Sequence, residues 1–161
     1  LTRRAFIFSA FTGLSYVDMQ RLRPSNIGVT ADGRYYIRIN RKKTDVESFI
    51  PLHPVAEQIL ALYNTTDESR PIFPLPNRNM IWYCIHEIGI MAGVKENLSY
   101  HDSRHTFGTL MLSAGIPIES ISKMMGHTSI RTTQIYARVT DDKISEDMDR
   151  LIEKRISMVQ I

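Results

Sequence analysis

The chain has 161 residues, of which 43% are apolar and 23% are charged, a composition typical of one soluble globular domain. No apolar run approaches the roughly 20 residues of a membrane span, so we expect no membrane association. A single cysteine, Cys84, excludes an intrachain disulfide and is typical of a reducing, cytoplasmic location.

The formal charge of +3 is distributed unevenly along the chain. Residues 1–43 contain nine Lys or Arg and two Asp, a balance of +7, so the remaining residues carry −4. Positive charge concentrated in one region predicts a polyanionic partner. A solvated basic surface is the commoner explanation of such a charge run taken alone, so the partner has to be argued from other residues.

Two helices and three strands are predicted in the first third. An aromatic-rich stretch at residues 1–11 predicts a buried helix that ends at Gly13, and Ser15 is a candidate cap for a short helix reaching Leu22. Strands are predicted at residues 27–30, 34–41 and 48–52, with a tight Asp-Gly turn after the first and a polar turn after the second.

The rest of the chain has helical periodicity. An amphipathic helix follows Pro54, and further helices are predicted at residues 77–92, 103–113, 117–125, 129–137 and 141–158. The predicted fold class is therefore mainly α with a small antiparallel three-stranded sheet near the front. It is neither a β-sandwich nor an alternating β-α chain.

Four residues in the last third suggest chemistry on a phosphodiester. His101 and Arg104 stand three apart at the start of a predicted helix, His127 follows a helix-ending glycine, and Tyr136 comes nine residues later. Arginine forks and histidine donors can neutralise the oxygens of a phosphate in its transition state, and a phenol can attack the phosphorus. Such a reaction needs no metal, and the covalent phosphotyrosine conserves the bond energy, so it needs no ATP.

Each of these residues has an ordinary explanation when it is considered alone. A histidine is more often a structural residue than a catalytic one, and a tyrosine at a helical position such as Tyr136 is more often part of the core. The coincidence of all four, in this order and spacing, favours the chemical interpretation.

The segments HDSRHTFGTLML and MMGHTSIRTTQIYARV together resemble the C-terminal signature of the tyrosine recombinases, the phage-integrase family. That family combines an H-x-x-R box with a later G-H pair and a T-T-x-x-Y motif. The matching positions here are His101, Arg104, Gly126, His127, Thr132, Thr133 and Tyr136.

Two earlier segments are similar to further parts of the family. FTGLSYVDMQRL resembles its first box, and RKKTDVESFIPL resembles the β-hairpin whose lysine protonates the leaving 5′-oxygen. The resemblance assigns that role to Lys43, with Lys42 as the alternative. Arg41 and Lys42 in this hairpin, with Lys123 and Arg131 near the G-H pair, are candidate DNA-contacting residues. A solvated surface explains Lys123 and Arg131 equally well.

The resemblance covers essentially the whole chain and implies a catalytic domain at residues 1–161, a fragment whose N-terminal DNA-binding region is absent. It implies site-specific strand exchange on double-stranded DNA through a 3′-phosphotyrosine, by a homotetramer in the bacterial cytoplasm, at the nucleoid. The isolated fragment would be a monomer. Residues 141–161 would dock onto a neighbouring protomer or, equally, fold onto their own core.

One position departs from the family pattern. The first box normally reads T-G-L-R, with the arginine on the phosphate, and here Ser15 takes that place. Integrases of some mobile elements are similar in lacking this arginine and have one earlier in the preceding helix. Alignment of Phe6-Ile7-Phe8 with the family favours Arg3 as the replacement. Ideal helix geometry favours Arg4, which stands eleven residues before Ser15, a distance close to three helical turns. An inactive enzyme is the alternative. Asp18 would orient either the replacement arginine or Ser15.

Two other interpretations are possible for the final third. Residues 116–136 hold a helix, a turn and a second helix, which is superficially a DNA-binding helix-turn-helix without catalysis. A type IB topoisomerase would share the chemistry but differs in size and signature. His105, beside Arg104, is expected to face another side of its helix and to be structural.

Overall fold

A computed structural model describes residues 1–63, 65–94, 97–137 and 141–158 of the chain. Its helices and strands, in chain order, are α1 Thr2–Thr12, α2 Tyr16–Arg21, a 3₁₀ turn Pro24–Asn26, β1 Ile27–Val29, β2 Tyr35–Asn40, β3 Glu47–Pro51, α3 Pro54–Leu60, α4 Arg78–Met91, α5 Tyr100–Ser113, α6 Ile118–Met125, α7 Arg131–Gln134 and α8 Asp141–Met158. The predicted fold class, mainly α with one small antiparallel sheet, is confirmed.

The sheet has the order β1-β2-β3, and both neighbouring pairs are antiparallel. Ile37 on β2 pairs with Ile50 on β3, and both side chains are fully buried. Arg38 and Phe49, the next pair along, point to the other face, as the two-residue period of a strand requires. One face of the sheet therefore closes the core. The loop between β2 and β3 extends from one end of the sheet toward α6.

Helices α1 and α5 form the centre of the molecule. The Tyr100 hydroxyl donates to the Ala5 carbonyl at 3.0 Å, and the Ser103 hydroxyl donates to Ser9 Oγ at 2.6 Å. Farther along the pair, a Cβ on Gly13 would stand only 2.6 Å from the Phe107 ring. Because these contacts advance together along both helices, α1 and α5 run side by side in the same direction. The end of α1 is thereby brought to the middle of α5.

The apolar interior has a large and a small part. The large part lies between α1, the sheet, α3, α4 and the first turn of α5, with Phe8, Ile37 and Phe73 fully or almost fully buried. The small part is built on Phe107, Ile121 and Met125, with Tyr136 packed against it. No helix in the described ranges is long and apolar enough to cross a bilayer.

Two predicted helices differ in length from the observed ones. The helix expected at residues 129–137 is only Arg131–Gln134, followed by a turn that holds Tyr136. The helix expected from residue 103 already begins at Tyr100, because Ser99 and Asp102 form a capping box that satisfies its first N–H groups. His101 therefore lies in the first helical turn.

Candidate active site

Arg104 joins two backbone segments that are distant in sequence. Its Nη1 donates a short hydrogen bond to the carbonyl of Gly13, and its Nη2 donates to the carbonyl of Met125 at 2.7 Å. Gly13 ends α1 with φ of 67°, and Met125 is the last residue of α6. The guanidinium is half-buried, and burial lowers its pKa, an effect that the nearby Tyr136 and Asp18 oppose. It remains a positive charge fixed between two helix ends.

His127 lies directly after the left-handed Gly126, whose φ is 63°. Its Nδ1 is 2.8 Å from the hydroxyl of Thr133, a residue that is fully buried. Burial, followed by the charges of Arg104 and Arg41, lowers the pKa of His127 to about 4. The ring is therefore neutral at neutral pH, and Thr133 fixes its orientation while Nε2 remains available.

Tyr136 packs onto α5 rather than forming part of a regular helix. A Cβ on Gly108 would stand 2.7 Å from Cδ2 of the phenol ring, so glycine leaves the space that the ring occupies. Burial raises the pKa of Tyr136, and the charge of Arg104 partly opposes this rise. Within the described part of the chain, its hydroxyl makes no hydrogen bond. The phenol is thus held by packing, close enough to Arg104 to be affected by its charge.

His105 is a site residue that the sequence interpretation missed. Its ring lies edge-on to Tyr136, with centroids 5.3 Å apart, and edge-on to His101 at 4.5 Å. The contact with Tyr136 was not predicted, and it arises because Tyr136 approaches α5 on the side shared by His101, His105 and Gly108; the structural role expected of His105 stays a prediction. The spacing of four and three residues between these positions, one face of a helix, was the available signal.

The β2–β3 loop brings Lys43 to the same region. The hydroxyl of Thr44 donates to the carbonyl of Gly126 at 3.1 Å, which ties the loop to the turn before His127. Lys43 itself is exposed. The pKa of His101 is lowered by burial first, then by His105 and Arg104, and Lys43 also contributes. Lys43 therefore lies within electrostatic range of His101.

Arg41 has a different environment from the one that the sequence predicts. It was expected to contact DNA from the surface beside Lys42, but its side chain is only 4% exposed. Its Nε donates to Ser48 Oγ at 2.8 Å and its Nη1 to Asp18 Oδ2 at 3.1 Å. Its Nη2 donates to the carbonyls of Gly13 at 3.3 Å and Met124 at 3.0 Å.

Asp18 is the only buried acidic side chain within the described ranges. Burial alone would raise the pKa of its carboxyl, but hydrogen bonds from the Lys42 backbone N–H and the Ser15 hydroxyl, with the charge of Arg41, lower it instead. The Ser15 hydroxyl donates to the same Oδ2 atom as Arg41, at 2.6 Å. Asp18 thus orients both Ser15 and an arginine, and that arginine is Arg41.

Arg3 and Arg4 are not brought to this cluster. Both are exposed near the start of α1, and neither forms a hydrogen bond or an ion pair with the residues that the structure describes. Gly13 lies nine and ten residues farther along, which corresponds to about 14–15 Å of helix axis. This separation places both guanidinium groups well away from the carbonyl that Arg104 and Arg41 share.

The remaining basic candidates lie on the surface. Lys42, Lys123 and Arg131 are exposed, as residues contacting a DNA backbone must be. A polar groove beside the end of β2 adds further positive charge. It is lined by Gln20, Arg21, Arg23, Ser25, Asn26, Arg38, Ile39 and Asn40. The excess charge of the first quarter is therefore mostly exposed, and Arg41 is the buried exception within that described region.

A mainly helical domain with a three-stranded antiparallel sheet, in which Tyr136 packs on α5 within reach of the charge of Arg104, has the fold of the tyrosine recombinase catalytic domains. The chain belongs to the phage integrase family, whose sequence model matches residues 2–143.

Individual relatives agree with this assignment. Over 149 residues the chain is 31% identical to the tyrosine recombinase XerA of Pyrococcus furiosus, an alignment that covers 86% of this chain and 50% of XerA. The fold is similar to the site-specific recombinase XerH bound to its difH substrate, with a TM-score of 0.69 and 21% identity over 91% of this chain and 46% of XerH.

A second solved structure has the same fold. The Tn1549 transposon integrase, in complex with a circular intermediate DNA, gives a TM-score of 0.62 at 21% identity, over 91% of this chain and 57% of that one. Both solved relatives are bound to DNA. The chain spans about half the length of XerA.

Proposed function

We propose that residues 1–161 are the catalytic part of a site-specific DNA recombinase or integrase that breaks and rejoins strands through a 3′-phosphotyrosine. The observation that carries the proposal is a convergence of segments. Three segments meet at the end of α6. Arg104 of α5 binds the Met125 carbonyl there, and the loop that carries Lys43 binds the Gly126 carbonyl through Thr44. His127 follows directly and is held by Thr133, three residues before Tyr136. The fixed charge of Arg104 beside one phenol, with Lys43 on the neighbouring loop, suits a reaction in which negative charge develops on phosphate oxygens.

In the proposed cleavage step the Tyr136 oxygen attacks the phosphorus of the scissile diester. The bond from Tyr136 Oη to phosphorus forms as the bond from phosphorus to O5′ breaks. The leaving O5′ takes a proton from the Lys43 ammonium, and the phenolic proton passes to the His101–His105 pair. Strand joining is the reverse, with a new 5′-hydroxyl as nucleophile. The number of phosphoester bonds stays constant, so no external energy source is needed.

The remaining roles follow from charge and hydrogen-bonding capacity. Arg104 is charged and has N–H groups beyond those given to Gly13 and Met125, so it can bind a non-bridging oxygen. Neutral His127 can donate from Nε2 when the Thr133 hydroxyl donates to Nδ1. The lowered pKa of His101 leaves that ring neutral and able to accept a proton.

Double-stranded DNA is the proposed substrate, and four protomers on two duplexes are the proposed assembly. The exposed arginines lining the groove beside β2 support a polyanionic partner. Helix α8 leaves Met148, Leu151 and Ile152 about half exposed, which suits the docking of residues 141–161 on a neighbour. Ile144 and Ile156, which were predicted to share that face, are not among the side chains that the structure describes.

A non-catalytic helix-turn-helix is less well supported. The second helix of the α6–α7 pair has only four residues, Arg131–Gln134, and Thr133 within it is buried against His127. A recognition helix needs several exposed residues along one face to read base edges.

Covalent capture tests the proposal. The protein is incubated with a pool of nicked duplexes that carry randomised arms, so that no target site is assumed, and DNA that survives denaturation on the protein is sequenced. We expect capture by the wild type, loss with Tyr136→Phe, and no loss with Tyr83→Phe, which removes an exposed phenol on α4. Equal capture by Tyr136→Phe, or none by the wild type, would overturn the proposal.

A further inference from the structure

The proposed function leaves one cation unaccounted for, because Ser15 stands where the family resemblance places a phosphate-binding arginine. A serine cannot supply a charge at this position. The inference below rests on the proposed function and concerns which residue supplies that charge.

The space beside Ser15 already contains a guanidinium. The Ser15 hydroxyl and Arg41 Nη1 donate to the same oxygen of Asp18, at 2.6 Å and 3.1 Å. Arg41 arrives from the end of β2, 23 residues beyond Asp18, and not from the helix before the first box. A charged group therefore lies next to the serine, although the backbone that carries it is different.

Arg41 is also coupled to the residue proposed to bind phosphate. Arg41 and Arg104 both donate to the carbonyl of Gly13, and they take the successive carbonyls of Met124 and Met125. The two guanidinium groups are thus arranged side by side on one pair of helix ends. Like charges this close repel one another in the free protein, and an anion placed between or beside them would relieve the repulsion.

The path of the Arg41 side chain passes next to the G-H pair. A Cβ on Gly126 would stand 2.4 Å from Cγ of Arg41 and 2.6 Å from Ser48 Oγ. Glycine at this position therefore leaves the channel through which Arg41 reaches Asp18. Burial and then the charge of Arg104 lower the pKa of Arg41 to about 10, so the group stays protonated at neutral pH.

We propose that Arg41 supplies the charge missing at the first box and acts as a positioning residue that holds Arg104 against the scissile phosphate. Four of the five N–H donors of a guanidinium are engaged by Ser48, Asp18, Gly13 and Met124. Its contribution is therefore the geometry it imposes on the shared Gly13 carbonyl, together with a buried charge that Asp18 balances only in part and that still lowers the pKa of His127.

Moving the charge tests this proposal. Arg41→Met keeps the length of the stem and removes the charge, and Ser15→Arg added to Arg41→Met places a guanidinium at the family position beside a vacated Asp18. With DNA captured by the wild type as substrate, we expect Arg41→Met to slow adduct formation about 100-fold or more. The double variant should recover at least about tenfold of that loss, and Arg3→Ala and Arg4→Ala should stay within about threefold of the wild type.

A purely structural role for Arg41 predicts a different pattern. Thermal unfolding identifies the variants that fold, and the titration of His127 by NMR reports the charge directly, because its pKa should rise in Arg41→Met and fall again in the double variant. If Arg41→Met does not fold, the same comparison uses Arg41→Gln with and without Ser15→Arg. Glutamine also removes the charge, and its amide can still donate to part of the acceptor set of Arg41, so rescue by Ser15→Arg again reports the charge.

The outcomes separate this inference from the proposed function. A folded Arg41→Met variant that cleaves at the wild-type rate, or a folded double variant without recovery, overturns the role of Arg41 while the proposed function stands. Loss of cleavage in Arg3→Ala or Arg4→Ala with Arg41→Met unaffected would instead assign the charge to α1. A wild type that captures no DNA removes both proposals together.

Discussion

The cations and the nucleophile of the candidate site are held in opposite ways. Arg104 and Arg41 are fixed by hydrogen bonds to backbone carbonyls at the ends of α1 and α6, inside the packed part of the molecule. Tyr136 follows a four-residue helix and is held by ring contacts with His105 and by the space above Gly108. The guanidinium groups are fixed by side-chain hydrogen bonds, whereas the phenol is held by packing, with hydrogen bonds, among the described residues, only from the backbone of its own turn.

The difference fits the proposed chemistry. Charges that stabilise a transition state are most effective when they need no rearrangement at the moment of reaction. A nucleophile that forms and later releases a covalent bond to DNA has to move with its substrate, and a segment with few polar ties moves at low cost. Changes in the backbone that carries the fixed cations should therefore affect folding first, and changes under the tyrosine should affect cleavage with little effect on folding.

The largest expected effect on stability comes from Gly13→Ala. The φ of 67° is unfavourable for alanine, and the new Cβ would stand 2.6 Å from the Phe107 ring. Backbone strain and overpacking together should lower the free energy of unfolding by about 2–4 kcal/mol, as measured by urea denaturation. Gly33→Ala is the matched control, because its φ of 84° imposes similar strain with no atom within 4 Å of the new Cβ. Equal losses in the two variants would show that the Phe107 ring can move aside without cost, so that overpacking contributes nothing.

Gly108→Ala should reduce DNA cleavage while leaving the stability of the fold almost unchanged. Alanine is favoured over glycine within a helix, so the free energy of unfolding should stay within about 1 kcal/mol of the wild type. The new Cβ would occupy a position 2.7 Å from the Tyr136 ring, so the ring has to move away from α5. We expect adduct formation to fall about tenfold or more. Thr109→Ala, at the next and exposed position of α5, controls for the helix itself. Unchanged cleavage would mean that the position of the Tyr136 ring over Gly108 does not matter for its attack on the phosphate.

The smallest effect expected is a dependence of stability on pH. Because the pKa of His127 is about 4 when folded and near 6.5 when unfolded, the unfolded chain binds more protons between these values. Stability should therefore fall as the pH drops from about 6.5 to 4, by up to about 2 kcal/mol after allowance for solvent screening of a half-exposed ring. His127→Gln should flatten this slope in urea unfolding series at several pH values, and His101, whose pKa is also lowered, should retain a part of it. An identical slope in the variant would exclude His127 as its source.

Local patterns were sufficient to predict most of the fold. The alternation in β2, the cap at Ser15 and the glycines that end α1 and α6 each act over a few residues, so their consequences are visible in sequence. The helix around Tyr136 was predicted too long. Its length is set by the burial of Thr133 against His127 and by the docking of the phenol on α5, contacts that no local period records.

The site was predictable where its residues share a motif, and not where they meet across the fold. His101, Arg104, His127 and Tyr136 follow from spacing. The contact of His105 with Tyr136 depends on which side of α5 the tyrosine approaches. Arg41 looked like another surface cation because it stands in a run with Lys42 and Lys43.

By itself, the sequence determined the classes of group present: several cations, a phenol at the predicted spacing from them, and a serine at position 15. Only the tertiary structure decided that Arg41, 83 residues from Met124 in the chain, would be buried beside Ser15 and share a carbonyl with Arg104. The physical reason is that burying a guanidinium requires acceptors for its N–H groups and a compensating carboxylate, and here those come from α1, α2, β3 and α6 at once.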